Sequence, residues 1–349
     1  MARPDVLDVL FLAPSGETLP SVRFRVLPFV AHGRERGLKV DWLRAPKALH
    51  QRLGFLLTLP RAKVVVIQQK LFAPWELSLI RRRCELLAYD VDDALWALHP
   101  ADQDKPGAAA KAGKIARRFA HTCASVDLVI AGNAYLAQRA GEHQQNIFIL
   151  PTLLDTGRYT PGPAERAALG PLRVGWMGTS GNMWFLPKVL RELAPLRGRV
   201  EVRVVSDKPY HGELEEMVRY EPWSGEREID QLRGFDCGLM PLSDDEFTRG
   251  KCGFKALQYM ACGAVPIASA VGFNREIVTH GVDGFLVDQP GQWAEFVLLL
   301  AGDPELRERM AAAARATCVA RFSLASRAPD LWRALGLPVP AQDGEPTPE

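Results

Sequence analysis

The 349-residue sequence lacks several features that would place it in common classes of protein. It contains no apolar run of 18 residues, so we expect no segment to span a membrane. Its six cysteines include no C-x-x-C pair, which argues against both a zinc site and a disulfide framework. No predicted strand is followed by G-x-G-x-x-G, which disfavours a nicotinamide-dependent dehydrogenase. The basic residues are not interleaved with aromatic ones, so we expect no nucleic-acid partner.

The composition is that of an ordinary globular protein. The hydrophobic fraction is 47% and the charged fraction is 24%, which are typical values for a soluble domain. The first residues, MARPDVLDVLFLAP, place acidic side chains inside a short apolar run, so they predict a strand rather than a signal peptide. We therefore expect a cytoplasmic protein whose cysteines are reduced.

Charge is distributed unevenly along the chain. Residues 1–150 contain 21 Lys+Arg and 14 Asp+Glu, whereas the remainder contains 22 and 27. A basic amino-terminal half suggests a negatively charged partner, such as an anionic membrane face or a lipid-linked phosphate acceptor. In that case the protein would lie against the inner face of the cytoplasmic membrane. An uneven but merely solvated surface is the alternative.

Apolar strand-like segments alternate with helical ones along the chain, which is the pattern of an α/β fold with parallel sheets. Residues 102–113 are small and polar, and we predict a mobile loop there, before a helix that starts at Lys114. A Pro-, Gly- and Ala-rich segment at 159–171 predicts an interdomain connection. We therefore predict domains at 1–162 and 163–336, and a disordered, Pro- and Gly-rich tail at 337–349.

The chain is organised around residues 248–287. The loop Gly250-Lys251-Cys252-Gly253 leads directly into an apolar helix predicted at 254–261. Glycines before a helix let the backbone approach a ligand closely, and the helix N-terminus favours an anion. Lys251 and Lys255 add two cations at the same place. A second junction follows a short strand, with Gly272 in the loop and Asn274 at the next helix start. Together these junctions predict a cradle for a diphosphate.

The residues of this stretch carry a family resemblance. The run FKALQYMACGAVPIAS, followed by GFNREIV and GVDGFLV, resembles the donor-site signature of the family 4 retaining glycosyltransferases, which have the GT-B fold. The resemblance implies an α/β protein with two Rossmann-like domains whose parallel sheets face a central cleft. The amino-terminal domain would serve the acceptor and the carboxy-terminal domain the nucleotide-sugar donor, with the last helix packing on the amino-terminal domain.

The resemblance also implies an activity. A sugar would move from a nucleotide-sugar donor to a glycan or lipid-linked acceptor with retention, in the synthesis of a cell-surface polysaccharide or glycoconjugate. Neither a metal ion nor another cofactor would be needed. Two alternatives stay open: a sugar-nucleotide epimerase of the same fold, and a non-catalytic subunit that binds a sugar nucleotide.

The sequence departs from the family pattern on the donor side. Two glutamates that the family has eight positions apart are replaced by Gly250 and Gln258. Gln258 keeps a carbonyl acceptor for the donor ribose, whereas Gly250 leaves the non-catalytic alternative open. The loop at 178–182 lacks the Arg and Lys with which the family binds the diphosphate, so we expect Lys251 and Lys255 to replace them. The predicted donor-binding residues are Gly178, Thr179, Ser180, Asn182, Gly250, Gly253, Phe254, Gln258, Gly272, Asn274 and Glu276, the last with helix capping as its alternative role.

The acceptor side is predicted from the strand ends of the first domain. Asp90, Asp92 and Asp93 end a strand, where they could meet the acceptor or shape the loop, and Asp92 or Asp93 could instead cap a helix. They also resemble a metal-binding D-x-D motif, but such motifs belong to a different fold, and we predict no metal. We name Asp92 and Asp93 as catalytic candidates together with Lys251 and Lys255. The predicted acceptor-side residues are Gly16, Arg23, Arg25, His99 and Asn133. The two arginines could instead only decorate a helix, and His99 could instead be a surface histidine.

Overall fold

A computed structural model describes residues 6–162 and 170–338, which form two compact units. Unit 1 comprises Met1–Leu153 and Leu324–Glu349, and unit 2 comprises Leu154–Ser323. In the described part of the chain, no helix combines the length and apolar character needed to cross a bilayer. All six cysteines are free thiols.

Unit 1 is built on a six-stranded parallel sheet in the order β2-β1-β3-β4-β5-β6. Its strands are mostly buried because apolar runs such as LFLA and VVVI lie between helices. The strands are β1 (Leu7–Ala13), β2 (Val40–Arg44), β3 (Ala62–Gln68), β4 (Cys84–Val91), β5 (Leu128–Ala131) and β6 (Ile147–Ile149).

In the described part of unit 1, six helices connect its successive strands, and a seventh follows unit 2 in the sequence. The six are α1 (Pro20–Arg25), α2 (Leu27–Glu35), α3 (Leu49–Leu57), α4 (Pro74–Arg81), α5 (Ala108–Ser125) and α6 (Ala134–Gly141), and the seventh is α14 (Leu324–Ala334).

Trp332 of α14 fixes this last helix in the core of unit 1. Its ring is fully buried, packs edge-on against Phe29 and stacks on His32. The indole N–H donates to Nδ1 of His32 at 3.0 Å. Burial, aided by the nearby Arg36, lowers the pKa of His32 to about 4, so the ring stays neutral and can accept this hydrogen bond.

Unit 2 contains a second six-stranded parallel sheet, in the order β12-β11-β10-β7-β8-β9. The order reverses next to β7, and ligands of open α/β sheets bind at such a switch point, beyond the carboxyl ends of the strands. The strands are β7 (Leu172–Met177), β8 (Val200–Ser206), β9 (Val218–Pro222), β10 (Cys237–Met240), β11 (Val265–Ser269) and β12 (Phe285–Val287).

The helices of unit 2 cover both faces of its sheet. They are α7 (Leu186–Leu193), α8 (Glu228–Arg233), α9 (Glu246–Arg249), α10 (Phe254–Ala261), α11 (Asn274–Ile277), α12 (Gln292–Gly302) and α13 (Pro304–Phe322). A 3₁₀ segment, Ser180–Phe185, follows β7.

The two parallel sheets confirm the predicted α/β class. The predicted mobile loop at 102–113 is wrong in its second half, because α5 already begins at Ala108. Alanine has the highest helix propensity, and Gly107, at φ 76°, sets the helix start. The edge strand β9 was not predicted, because its sequence VRYEP contains no apolar run; its residues are half-buried or exposed in the structure.

The boundary between the two units falls between Leu153 and Leu154, whereas the predicted domain boundary lies between residues 162 and 163. Residues 163–169 of the predicted connection lie outside the described residues. Leu337 is buried and its N–H donates to the Trp332 carbonyl, so the predicted tail cannot begin at 337. The remainder of that tail, 339–349, also lies outside the described residues.

Candidate functional site

The hydroxyl of Tyr259 fixes helix α10 against the carboxyl edge of the unit 2 sheet. Tyr259 is fully buried; its oxygen accepts from the Met177 N–H at 3.1 Å and donates to the Leu239 carbonyl at 3.2 Å. These partners lie at the ends of β7 and β10. Burial raises the pKa of this phenol, so it remains protonated and can donate.

The start of α10 depends on Gly253. This residue is the N-cap with φ 61°, and a Cβ there would overlap Cδ1 of Ile277. Glycine is therefore required both for the left-handed backbone and for the close packing. The helix dipole presents its positive end where the loop carrying Lys251 arrives.

Lys251 and Lys255 line one recess at this end of α10. Lys251 Nζ lies 4.0 Å from the ring centroid of Phe247, and Lys255 Nζ lies 5.6 Å from that of Trp176. Aromatic faces stabilise cations at such distances, so both side chains are held close to their present positions. The walls of the recess are formed by Trp176, Asn182, Phe185, Met240, Pro241, Leu242, Lys251 and Lys255.

Gly178 gives Lys255 the space it occupies. A Cβ at this position would come within 2.6 Å of Lys255 Cε and 2.9 Å of the Trp176 ring. The predicted donor-loop glycine therefore shapes the recess indirectly, by letting the lysine stem pass over the backbone. Of the residues predicted for this loop, Asn182 lines the recess itself.

The loop at 178–182 offers fewer hydrogen-bond donors than the sequence suggests. Ser180 donates its N–H and its hydroxyl to Asp207, at 2.6 and 3.1 Å, and Thr179 Oγ1 accepts from the Asn182 amide. The N–H groups of Gly178 and Asn182 donate to carbonyls of Val205 and Thr179. Three of the loop's N–H groups are thus already bonded to other groups of unit 2, and the bond from the Ser180 N–H lowers the pKa of Asp207.

Gln258 faces a buried carboxylate that the sequence analysis missed. It is 3% exposed, and its amide nitrogen lies 3.2 Å from Glu228 Oε1. Glu228 also accepts from the Tyr159 hydroxyl at 2.8 Å and from the Trp223 indole at 3.4 Å. No motif links positions 228 and 258, so only the fold reveals this network. Gly250, the other substituted position, is buried at the end of α9, where its N–H donates to the Glu246 carbonyl.

The second junction is held by internal bonds. Asn274 is buried and its amide donates to the Ser269 carbonyl at 3.0 Å. Gly272 has φ 49° and lies against the backbone of Arg249, so it joins the two junctions. Glu276 is exposed, and its backbone carbonyl accepts from the Arg321 guanidinium. Phe254 is half-buried at the first position of α10.

In unit 1, Arg25 forms a buried ion pair with Asp90. Arg25 is 3% exposed, and its Nε lies 2.9 Å from Asp90 Oδ2. Its Nη1 donates to the Leu150 carbonyl and, at 3.4 Å, to Thr152. This pair joins α1 to the ends of β4 and β6, so the Arg25 guanidinium is engaged inside unit 1. Arg23 is half-buried and packs over the ring of Phe24.

Asp92 lies just beyond this pair, between two glutamine amides. Gln68 Nε2 lies 3.2 Å from Asp92 Oδ1, and the Gln69 amide bonds the same oxygen. Gln69 has φ 54°, a left-handed conformation that is uncommon outside glycine and is concentrated at functional sites. Burial raises the pKa of Asp92 to about 7. The charges of Asp90 and Asp93 also raise this pKa, whereas the Arg25 guanidinium and the hydrogen bond from Gln69 lower it.

The remaining acceptor-side candidates shape the local backbone. Asn133 is buried and caps α6, accepting from the Leu136 N–H at 2.8 Å. His99 Nδ1 accepts from the Ala101 N–H. Asp93 accepts from the Ala94 N–H in a turn, so it does not cap an α-helix. Gly16 lies in the loop after β1, half-buried. Among the described residues, no three His, Cys, Asp or Glu side chains are arranged to hold a metal ion.

Comparison with known proteins finds a family match within unit 2. Residues 213–317 match the family model described as glycosyl transferases group 1. The matched residues include Lys251, Lys255 and Gln258, whereas the loop at 178–182 precedes them.

A sequence relative is similar over part of its length. The chain is 34% identical over 140 residues to a D-inositol 3-phosphate glycosyltransferase of Thermobispora bispora, which corresponds to 39% of this chain and 28% of the relative. The match therefore spans less than a third of that relative's length.

Solved structures resemble the chain over nearly its whole length. HepE of Anabaena, solved with UDP and glucose, has a TM-score of 0.69 at 16% identity and covers 95% of this chain and 99% of its own. Sucrose-phosphate synthase of Thermosynechococcus elongatus has a TM-score of 0.74 at 14% identity, covering 94% and 99%. These likenesses show the fold, which is GT-B.

The Gln258–Glu228 contact makes the glutamine at position 258 testable. Gln258→Glu would place two carboxylates about 3.2 Å apart in a buried site. We expect it to lower the unfolding free energy by about 2–4 kcal/mol near neutral pH, because an unpaired buried charge is strongly destabilising. Adding Glu228→Gln should restore most of that loss, as measured by urea unfolding of both single variants and the double variant. Additive losses would contradict the direct contact.

Asp92 provides a pH-dependent test. Its pKa of about 7 in the folded protein lies above the ordinary value of 3.8, so the folded state retains a proton that the unfolded chain releases. Stability from this group is therefore present below about pH 4 and is lost as the pH rises to about 7. Asp92→Asn should match the wild type near pH 4 and be more stable by about 1–3 kcal/mol near pH 8. A difference in unfolding free energy that does not change with pH would contradict this.

Proposed function

We propose that this chain is a glycosyltransferase that moves a sugar from a nucleotide-sugar donor to a glycan or lipid-linked acceptor. The observation that carries the proposal is the recess in unit 2 where Lys251 and Lys255 meet beside the start of α10. Both lysines lie within residues 213–317, which match the glycosyl transferases group 1 model, and this supports a diphosphate as the ligand. The structural neighbour HepE, solved with UDP and glucose, favours a uridine donor.

The chemistry of transfer explains the need for two cations. As the bond to the sugar breaks, negative charge develops on the leaving diphosphate while the sugar becomes oxocarbenium-like. Fixed positive charge at the leaving phosphate lowers this barrier. Lys251, Lys255 and the dipole of α10 supply that charge, so the proposal needs no metal ion.

The donor is proposed to contact the two junctions and the loop after β7. Asn182 lines the recess, and Gly253 and Gly178 let the backbone and Lys255 take their positions. Gln258 is buried, and its amide nitrogen already donates to Glu228. A ribose contact through Gln258 is therefore weaker in our proposal than the phosphate contacts through the lysines.

The acceptor is proposed to bind unit 1 at the carboxyl ends of its strands. Asp92 is held by Gln68 and Gln69 and can hold or release a proton near neutral pH. We assign it to orient the acceptor hydroxyl, with Asp93 beside it. Transfer would retain the configuration of the sugar, as in family 4, with a donor phosphate oxygen accepting the hydroxyl proton.

The location follows from the proposed acceptor. A lipid-linked acceptor and the basic excess of residues 1–150 support a protein of the cytoplasm that contacts an anionic membrane, in cell-surface glycan synthesis. The non-catalytic alternative is favoured by one observation: Gly250 and the buried Gln258 replace both family glutamates. Product formation from a panel of UDP-, GDP- and dTDP-sugars separates the two functions.

The lysines give the sharpest kinetic test. Lys251→Ala and Lys255→Ala should each lower kcat about 10- to 100-fold with a smaller rise in the donor KM, because the lysines act mainly on charge that develops during reaction. Lys188→Ala, an exposed lysine of α7, is the matched control and should leave both constants unchanged. Unchanged kinetics in both recess variants, with the fold intact, would place the leaving group elsewhere.

A further inference from the structure

Helix α3 of unit 1 carries an exposed row of leucines. Leu49, Leu53 and Leu57 are 59%, 48% and 54% exposed, although leucine is usually buried. A spacing of four residues places them on successive turns of the helix, next to one another. The core contact of the helix is made by Leu56, which is 1% exposed. The row is thus not needed for packing within unit 1.

The chain segment that contains this row is basic. Between Asp41 and Glu76 the sequence contains no acidic residue, but it contains six basic ones: Arg44, Lys47, Arg52, Arg61, Lys63 and Lys70. Arg52 pairs with the buried Glu76 and Lys63 pairs with Asp8, whereas Arg44, Lys47 and Arg61 are exposed.

Basic side chains lie at both ends of α3. At its start, Lys70 Nζ contacts the Pro46 carbonyl, next to the exposed Lys47. At its end, the Arg83 guanidinium donates to the Leu57 carbonyl, and Arg61 is exposed shortly beyond. An apolar row with cations at both ends is complementary to the surface of an anionic bilayer, where leucines enter the acyl boundary and cations meet the headgroups.

An exposed aromatic residue lies on the adjoining helix. Trp75, on α4, is 43% exposed and precedes Glu76, which pairs with Arg52 of α3. Tryptophan is enriched at membrane–water interfaces because its ring is apolar and its N–H is polar. Elsewhere, Leu299 of α12 and Val319 of α13 are exposed to a similar degree, but they lie on separate helices and form no row.

We propose that the α3 row, Leu49, Leu53 and Leu57, docks onto an anionic lipid surface, with Lys47 and Arg61 at the headgroups. The inference deepens the proposed contact with a membrane and rests on that part of the proposed function. It names the surface of unit 1 that would bind the lipid. Its failure is distinguishable from failure of sugar transfer, because lipid binding is measured without any sugar nucleotide.

The test is co-sedimentation of the full chain with lipid vesicles. Wild-type protein should partition onto vesicles of phosphatidylcholine and phosphatidylglycerol at least tenfold more strongly than onto phosphatidylcholine alone, and added salt should weaken the binding. The Leu53→Ser/Leu57→Ser double variant should lose at least tenfold in partitioning. Leu299→Ser is the matched control and should bind as the wild type does. Lys47→Glu/Arg61→Glu should also weaken binding to the anionic vesicles.

Two outcomes would overturn the proposal. One is equal binding by the wild type and the leucine double variant, both shown to be folded by circular dichroism. The other is a wild-type dimer, seen by light scattering, that the leucine substitutions dissociate while vesicle binding is absent. The second result would assign the row to a contact between two copies of this chain.

Discussion

The hydroxyl of Tyr259 makes the contact on which the proposed donor site depends. It joins the ends of β7 and β10 to the middle of α10, and α10 carries Lys255 at its start and Gln258 on its buried face. Because one buried phenol fixes the helix to two strands, the recess beside Lys251 and Lys255 has a fixed wall. Gly253 then sets the angle at which the loop enters the helix. The charge that the proposed reaction needs is thereby positioned before any ligand binds, which is the condition for electrostatic stabilisation of a transition state.

A different constraint shapes unit 1. The buried pair between Arg25 and Asp90 satisfies a carboxylate that would otherwise be costly inside the sheet edge. Asp92, the next carboxylate along, accepts hydrogen bonds from two neutral amides, those of Gln68 and Gln69. Two aspartates of one strand end thus have different roles: Asp90 is structural, and Asp92 is set to titrate near neutral pH. The left-handed backbone of Gln69 is the local cost of this arrangement.

The sequence predicted the parts of the structure that depend on local patterns. The apolar strands, the glycine-rich start of α10 and the two recess lysines are visible as runs and motifs, and the structure brings Lys251, Lys255 and Asn182 together. Contacts between residues distant in sequence could not be predicted. Glu228, the partner of Gln258, lies 30 positions away, and Asp90, the partner of Arg25, lies 65 positions away. No sequence pattern in these segments indicates either pairing. The sequence also overestimated the hydrogen-bond donors that the loop at 178–182 offers to a ligand. Asp207, which follows the end of the next strand, accepts from the Ser180 N–H.

In the proposed reaction, the donor diphosphate binds between Lys251 and Lys255. The most direct measurement is a crystal structure of the protein soaked with UDP. We expect the diphosphate to lie in the recess lined by Trp176 and Asn182, with phosphate oxygens within hydrogen-bonding distance of both lysine ammonium groups. UDP bound at full occupancy elsewhere in unit 2, or on unit 1, would contradict it.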